Sequence, residues 1–335
     1  MLKKTLCMAA ALIAMTACSS KASEKNAVEE PAQEGSTVYF TSDISPEGLI
    51  KVYEALGVEP HGNVAVKIST GESMKSHNLS PELIKPLVDK VNGTLVECNT
   101  AYGGSRATTE DHLKTIHEHG YDTIAKVDIM DANGEMKIAV KDTTHMKYNI
   151  VGKDLAKYDH LINLAHFKGH AMGGFGGVLK NQSIGIASAN GKMYIHTCGA
   201  VAEAGPQHFA DNKAGQDAFI ESMAVAADAV QNYMEAKGDK IVYIDVMNNL
   251  SVDCDCDGNP HAPEMKDIGI LASTDPVALD QACVDLVFNH QNKEGDNSAA
   301  LIERINSRHG LGILKKAEEL GMGSRKYHIV DIDKK

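Results

Sequence analysis

The sequence predicts an α/β fold: a mostly parallel sheet with helices on both faces and a small antiparallel excursion. From Val38 onward, short apolar runs alternate with amphipathic helical patterns, and this alternation is typical of parallel sheets covered by helices. Neither an internal repeat nor a break in composition divides this part of the chain. We therefore expect a single α/β domain over residues 38–332.

The strands are predicted from apolar runs bounded by turn residues. For the main sheet, these runs lie at residues 38–40, 63–68, 94–98, 160–167, 241–249, 267–273 and 326–332. Strand-like segments also crowd together at residues 123–130, 135–141 and 145–151. Because these three segments follow one another closely, they predict the local antiparallel excursion.

The helices are predicted from their start signals. Ser45 precedes Pro46, and Ser80 precedes Pro81, so each pair places a favoured N-cap residue before a proline at the first helical position. Thr108 is the N-cap of a third helix. Further helices are predicted at residues 215–237, 276–289 and 311–320.

The first residues have the pattern of a targeting segment. Lys3 and Lys4 precede a short apolar run that ends at Ala17, and Cys18 follows directly. This arrangement predicts a signal peptide over residues 1–17 and lipidation of Cys18. The polar residues that follow predict a flexible tether over residues 18–37. The alternative is an ordinary signal peptide in which the cysteine is incidental. We therefore expect a membrane-anchored lipoprotein of the cell envelope that faces the periplasm or the exterior.

The composition narrows the function classes. The 335 residues carry a formal net charge of −12, which disfavours nucleic acid as a partner because phosphates would be repelled. No apolar run reaches the ~18–20 residues that a membrane-spanning helix of the mature protein needs. The chain has 15 His, 7 Cys and 14 Met but no Trp, and this composition indicates metal or redox chemistry.

A glycine-rich segment after the strand at 160–167 is the first candidate site. His166 and His170 are four residues apart, and a pair of imidazoles can hold a transition metal. Glycines allow backbone N–H groups to approach an anion, and lysines add positive charge. The candidate ligand-binding residues in this segment are Lys168, Gly173, Gly174, Gly176, Gly177 and Lys180. The alternative is a tight strand-to-helix connection with exposed histidines.

The second candidate site follows the strand at 241–249. Cys254 and Cys256 flank Asp255, and in an extended segment residues two apart point to the same side, so both sulfurs can face one ion. Thiolates suit zinc, copper(I) or iron–sulfur centres. The neighbouring acids should raise the thiol pKa values unless a cation offsets them, which favours a metal. A disulfide or redox dithiol, and a pair of inert core thiols, are the alternatives.

A third segment, residues 97–112, contains Cys98, Arg106 and His112. Arg106 precedes a predicted helix and could bind a carboxylate or phosphate, or it could be an ordinary surface arginine. His196 with Cys198 forms a weaker candidate pair. The chain contains neither a GxSxG nor an HExxH pattern, so the sequence indicates no standard hydrolytic site.

Taken together, these motifs resemble a known family. The runs HFKGHAMGGFGGVLKNQSIGIAS, CDC, DIGILASTDPVALDQACVDL, NVAVKIS and CNTAYGGSRATTEDHLKTIHEHG are similar to the Fe–S center proteins, also called domain of unknown function 362. The resemblance covers most of residues 38–332. It implies that His166, His170, Cys254 and Cys256 are the shared unusual residues. Many members carry a ferredoxin-like insertion with CxxCxxC runs, whereas this chain has only Cys198 there, so no ferredoxin-type cluster is expected.

The leading functional hypothesis is a transition-metal site, with iron or zinc as the metal and a possible redox role. Cys254 and Cys256 are the expected thiolate ligands, and His166 or His170 completes the coordination. The alternative is an enzyme or binder for a small phosphate- or carboxylate-bearing ligand, held by the glycine-rich segment, Lys168, Lys180 and Arg106. A non-catalytic solute-binding lipoprotein is the third hypothesis.

Overall fold

The computed structural model describes residues 34–334. The predicted signal peptide, the lipidation residue Cys18 and most of the predicted tether lie outside the described residues. Among residues 34–334, no helix has both the length and the apolarity needed to cross a membrane. The predicted α/β class is confirmed, with an eight-stranded sheet and two small antiparallel ribbons.

Most of the strands lie within or next to the predicted runs, whereas two short strands form in the glycine-rich segment, where none was predicted. The strands are β1 (Ser36–Thr41), β2 (Val64–Lys67), β3 (Thr94–Glu97), β4 (Val127–Ile129), β5 (Glu135–Ile138), β6 (Asn149–Gly152), β7 (His160–His166), β8 (Lys168–His170), β9 (Gly174–Gly176), β10 (Val242–Met247), β11 (Gly269–Ser273) and β12 (Tyr327–Asp331).

The helices include the six predicted ones and three others. They are α1 (Pro46–Ala55), α2 (Pro81–Lys90), α3 (Thr109–Glu118), α4 (Val178–Ser183), α5 (Ala189–His196), α6 (Gln216–Glu235), α7 (Pro276–Phe288), α8 (Ala299–Ser307) and α9 (Gly312–Glu319). The side chains of Ser45, Ser80 and Thr108 cap α1, α2 and α3 as predicted, each by accepting a backbone N–H of the first turn.

The main sheet has the order β12-β1-β11-β10-β7-β2-β3-β4. Only β11 runs antiparallel to its two neighbours, and the other adjacent strands are parallel. The antiparallel excursion consists of β5 and β6. The segment predicted at 123–130 does not join it: β4 extends the main sheet in parallel with β3.

Helices cover both faces of the sheet, and each face has its own apolar core. The larger core packs α4, α6, α7 and α9 against the sheet, with Phe219 and Val277 among its fully buried side chains. On the opposite face, α1, α2 and α3 bury Leu49, Ile84 and Ile116. Because both faces are covered, the central strands β2, β7 and β10 are buried along their whole length rather than at alternate residues.

The order of the strands brings the two candidate segments together. Strands β7 and β10 are parallel neighbours, with His166 in register with Val246. Their carboxyl ends therefore lie at the same edge of the sheet, which is where sites form in α/β folds. Beyond that edge, the backbone N–H of Gly169 donates to the carbonyl of Ser251 at 2.8 Å. The glycine-rich segment and the segment with the two cysteines are therefore in direct contact.

Candidate functional site

Three potential metal ligands meet beyond this edge of the sheet. A ring nitrogen of His170 and the Sγ atoms of Cys254 and Cys256 all lie within 4.8 Å of one another. His170 ends β8, and the two cysteines occupy a tight turn that closes when the N–H of Asp257 donates to the carbonyl of Cys254 at 2.8 Å. Both cysteines are free thiols. We call these three residues the thiol–imidazole group.

The two thiols of this group differ in acidity. The pKa of Cys254 is well below its usual value, first because Cys256 donates a hydrogen bond to it and then because Lys180 and Lys168 outweigh the effect of burial. The pKa of Cys256 is raised well above its usual value by the same hydrogen bond and by burial. The Lys180 Nζ lies 3.8 Å from the Cys254 sulfur. Cys254 is therefore the more acidic thiol of the pair.

The imidazole of His170 is held by backbone donors. The N–H of Gly173 donates to its Nδ1 at 2.8 Å, and the N–H of Met172 does so at 3.3 Å. Burial and the nearby Lys180 lower the pKa of His170 well below its usual value, so the ring is neutral. Because Nδ1 is an acceptor, Nε2 carries the proton of the neutral ring.

The other predicted imidazole ligand, His166, is not part of the group. Its Nδ1 contacts Asp255 Oδ1 at 2.8 Å, and its Nε2 contacts the carbonyl of Asn248 at 2.6 Å. Both partners are acceptors, so neither nitrogen presents a lone pair to a metal. The second oxygen of Asp255 accepts from Lys168 Nζ at 2.8 Å. His166 and Lys168 thereby fix the turn that carries the two cysteines.

A cavity of about 180 Å³ adjoins the group, and both His170 and Cys256 line it. Its walls combine apolar and aromatic side chains, such as Ile184 and Phe209, with an unusual number of cationic ones. The cationic side chains are those of Lys67, Arg106, Lys168, Lys180 and Lys192. Gly176 and Gly177, two of the candidate ligand-binding glycines, also line the cavity.

Gly173 and Gly174 instead allow the backbone to turn and to pack closely. The segment that contains them is not a loop but the β8–β9 hairpin. Gly174 has φ +84°, and a Cβ there would lie 2.9 Å from the Cα of Gly310. A side chain at Gly173 would press on the terminal methyl of Met223 at 3.1 Å. These two glycines allow the hairpin to turn and to pack closely.

The start of α4 is not free to bind an anion. The Asp280 carboxylate, carried by α7, accepts the N–H groups of Val178 at 2.9 Å and Leu179 at 3.0 Å. A Cβ on Gly177 would lie 2.2 Å from this carboxylate. The first two N–H groups of α4 therefore bind a carboxylate that the protein itself supplies.

Arg106 is buried and paired rather than exposed. Its Nε donates to Glu72 at 3.0 Å, its Nη1 to Glu97 at 3.5 Å and its Nη2 to the hydroxyl of Tyr102 at 3.2 Å. Glu97 also accepts from Lys67 Nζ at 2.9 Å. Burial alone would raise the pKa of Glu97, but Lys67 and Arg106 outweigh it and hold the pKa at about 2.

The remaining candidates have separate positions. Cys98 lines the cavity, and burial raises the pKa of its thiol. His112 is buried on α3 between the Thr70 hydroxyl at 3.1 Å and the side-chain oxygen of Asn99 at 3.3 Å. His196 lines the cavity, whereas Cys198 does not.

Two lysines of the cavity, Lys67 and Lys192, were not predicted as site residues. The sequence does mark Lys67 as unusual, because it is a charged residue inside the apolar run of β2. Nothing marks Lys192, because it lies within Asn-Gly-Lys-Met, a run that indicates a turn as readily as the helix it forms.

Comparison with known proteins assigns the chain to a family. Residues 64–285, more than half of the chain, match the model of "Domain of unknown function (DUF362)". The chain belongs to the DUF362 family. No curated protein matches the chain.

Two solved structures resemble this DUF362 protein. One is the lactate racemase apoprotein from Thermoanaerobacterium thermosaccharolyticum, at 13% identity and a TM-score of 0.42; the match covers 76% of this chain and 57% of that one. The other is a structural-genomics protein from Thermotoga maritima, at 13% identity and a TM-score of 0.42, with coverages of 71% and 57%. This chain thus spans little more than half the length of either protein.

Proposed function

We propose that this DUF362 protein binds one transition-metal ion, iron or zinc, between Cys254, Cys256 and His170. The observation that supports the proposal is the approach of these three donors to within 4.8 Å at the wall of a cavity. Two thiolates and one imidazole are a donor set that zinc and iron accept. Three protein ligands leave a coordination position for a small molecule, as in catalytic rather than structural zinc sites.

The two sulfurs can bind a metal without breaking a hydrogen bond of the backbone, whereas the imidazole cannot. The lowered pKa of Cys254 favours its thiolate form, and Lys180, 3.8 Å from its sulfur, would offset negative charge on the two sulfurs. His170 keeps its Nε2 proton because the N–H of Gly173 occupies Nδ1, so coordination through Nε2 must break that bond. A ferredoxin-type cluster does not fit, because such clusters take four thiolates and only two are grouped among residues 34–334.

A bound ion would act as a Lewis acid on an oxygen of a ligand in the cavity, and iron would add electron transfer. The chain's own side chains supply the rest of the site. Lys180 holds positive charge beside Cys254 at 3.8 Å, and Asp255 anchors the turn through Lys168.

Metal analysis of the mature chain, purified anaerobically and reduced, tests this proposal. We expect about one metal ion per chain. Cys254→Ser and Cys256→Ser should each abolish binding, because each removes a thiolate. His170→Ala should weaken binding by about ten- to a hundredfold, and so should His166→Ala, which acts through Asp255.

The control for these variants is Cys198→Ser, which removes a thiol outside the group and should leave metal binding unchanged. A metal-free protein whose Cys254–Cys256 pair forms a disulfide under native redox conditions would contradict the metal proposal. That result would support the reading of the pair as a redox dithiol.

We also propose that the protein is a lipid-anchored lipoprotein of the cell envelope. The motivation is the short apolar run that ends at Ala17 before Cys18. Cys18→Ser should move the protein from the membrane to the soluble fraction without changing its melting temperature. Membrane retention of the Cys18→Ser protein would contradict the lipid anchor.

A further inference from the structure

The cationic side chains of the cavity are not equivalent, because most of them are already neutralised. Lys67 and Arg106 pair with Glu97 and Glu72, and Lys168 pairs with Asp255. Three of the five cations of the cavity therefore have carboxylate partners within the protein.

Lys192 differs from these three. It is 6% exposed, and its Nζ donates only to backbone carbonyls, those of Ala187 at 2.7 Å and Cys98 at 3.5 Å. None of the described carboxylates forms an ion pair with it. A buried ammonium group without a counter-ion is unfavourable by several kcal/mol, so such a group normally has an anionic partner.

The position of Lys192 indicates where that partner lies. Ser188 caps α5, and the bond from Lys192 to Ala187, just before the helix, holds the ammonium group at the wall of the cavity. The same cavity is lined by Lys180, whose nearest polar partner is the Cys254 sulfur. Two cations without carboxylate partners therefore face one enclosed space.

We propose that the cavity binds a small monoanionic or dianionic molecule whose carboxylate or phosphate group pairs with Lys192. The volume of about 180 Å³ suits a small molecule rather than a polymer. The side chains of Ala101, Ile184 and Phe209 provide an apolar wall for the body of the ligand. In this proposal Lys192 selects the charge of the ligand and binds it directly.

Binding of the anion does not depend on the proposed metal centre. Only the idea that the bound molecule is also a substrate rests on that proposal. The experiment is therefore run on the full mature chain in two states, as purified and after removal of metal with a chelator. Thermal unfolding is followed with acetate, propionate, succinate, inorganic phosphate and glycerol phosphate, with propanol and glycerol as uncharged counterparts. Carboxylates and phosphates form separate arms of this panel.

We expect at least one anion to raise the melting temperature in both metal states, because binding to the native state alone adds stability. The uncharged counterparts should have no effect. A shift confined to the carboxylate arm, or to the phosphate arm, identifies the anionic group. Anion binding that persists after metal removal supports this inference even if the metal proposal fails.

Two substitutions separate a ligand-binding role of Lys192 from a structural one. Lys192→Met keeps the apolar stem and removes the charge; without ligand it should melt no lower than the wild type, because an unpaired buried charge has been removed. Lys192→Gln keeps a donor for the Ala187 carbonyl. Both should lose the anion-induced shift and weaken anion binding at least about tenfold.

Lys237 offers a matched control. Its Nζ also donates only to backbone carbonyls, those of Tyr158 and Ala156, but it lies outside the cavity. Lys237→Met should keep the full anion-induced shift. The inference is overturned if Lys192→Gln responds to the anions like the wild type, if no anion of either arm shifts the melting temperature, or if ligand-free Lys192→Met melts clearly below the wild type.

Discussion

At the scale of single residues, the acids around the two cysteines are all engaged by other groups. Asp255 binds His166 and Lys168, while Asp253 accepts from the N–H of His261 at 3.0 Å. The sequence predicts that these acids raise the thiol pKa values unless a cation offsets them. For Cys254, the hydrogen bond from Cys256 and the charges of Lys180 and Lys168 lower the pKa, so the offsetting cations belong to the protein. A metal would add to a site whose charge is already partly balanced.

Gly169 is the residue whose small size allows the two segments to touch. A Cβ at this position would lie 2.2 Å from the carbonyl oxygen of Val252, a backbone atom that cannot move without shifting the turn of the two cysteines. Gly169→Ala should therefore separate His170 from that turn. We expect metal binding about ten- to a hundredfold weaker and a loss of about 1–3 kcal/mol in unfolding free energy.

Metal titration and urea unfolding of the Gly169→Ala protein check this prediction. Gly103→Ala is the matched control, because a Cβ at Gly103 meets no atom within 4 Å. Wild-type metal affinity in the Gly169→Ala protein would show that the close approach of the two segments does not matter for the site.

At the scale of elements, the hairpin β8–β9 decides which histidine enters the site. By sequence, His166 and His170 are equivalent members of one motif. The chain ends β7 at His166, so this side chain meets the turn of the cysteines from the sheet and binds Asp255. His170 is the last residue of β8, and its ring nitrogen lies near the two sulfurs. A linear motif does not contain this information, because the hairpin depends on packing against α8.

Local patterns predicted the strands and the capped helices well, because each has a strong signal of its own. The antiparallel direction of β11, the β8–β9 hairpin and the bounds of the short helices α4, α5 and α8 were not predicted. Helix α4 has only six residues, and the carboxylate of Asp280, about a hundred residues later, satisfies its first N–H groups. A helix stabilised by so distant a residue leaves little trace in its own sequence.

The parts of the candidate site that were predicted depend on neighbouring strands rather than on distant residues. The meeting of Cys254 and Cys256 with a histidine of the glycine-rich segment followed from one condition, that β7 and β10 are parallel neighbours, and the structure meets it. The pairing of Arg106 with Glu72 and Glu97 joins residues from separate segments, and no spacing in the sequence indicates it.

At the scale of the whole molecule, charge is distributed unevenly. The chain has a formal net charge of −12, yet five cationic side chains surround one cavity. The long-range field of the protein therefore repels anions, and binding of an anion depends on short-range contacts inside the cavity. This contrast favours a ligand that is held by specific lysines over one that is attracted to the surface in general.

The buried histidines determine how stability changes with pH. Burial lowers the pKa of His196 to about 4 and that of His112 to about 3, against an ordinary value of 6.5. Between pH 6.5 and 4 the unfolded chain therefore binds protons at these histidines that the folded protein does not. The free energy of unfolding should fall as the pH falls through this window.

Asp280 acts in the opposite direction over part of the same range. Burial raises its pKa to about 6, so its contribution to stability grows as the pH falls from 6 to 3.8. Two further buried groups shift in the same two ways, since the pKa of His170 is also lowered and that of Asp245 is also raised. Three histidines outnumber two carboxyls, so the free energy of unfolding should fall from pH 7 to pH 5, by roughly a few kcal/mol. Urea unfolding between pH 7.5 and 4.5 measures it.

The His196→Gln variant isolates one of these contributions. The Nδ1 of His196 contacts the carbonyl of Lys192 at 2.7 Å, and the amide of glutamine can donate to the same oxygen. The variant should lose stability less steeply, with a slope lower by about one proton between pH 6 and 5. If the wild type instead gains stability as the pH falls to 5, or if His196→Gln keeps the full slope, this histidine is not held neutral in the folded protein. Burial and the charges of Lys180 and Lys192 then do not suffice to keep this imidazole neutral.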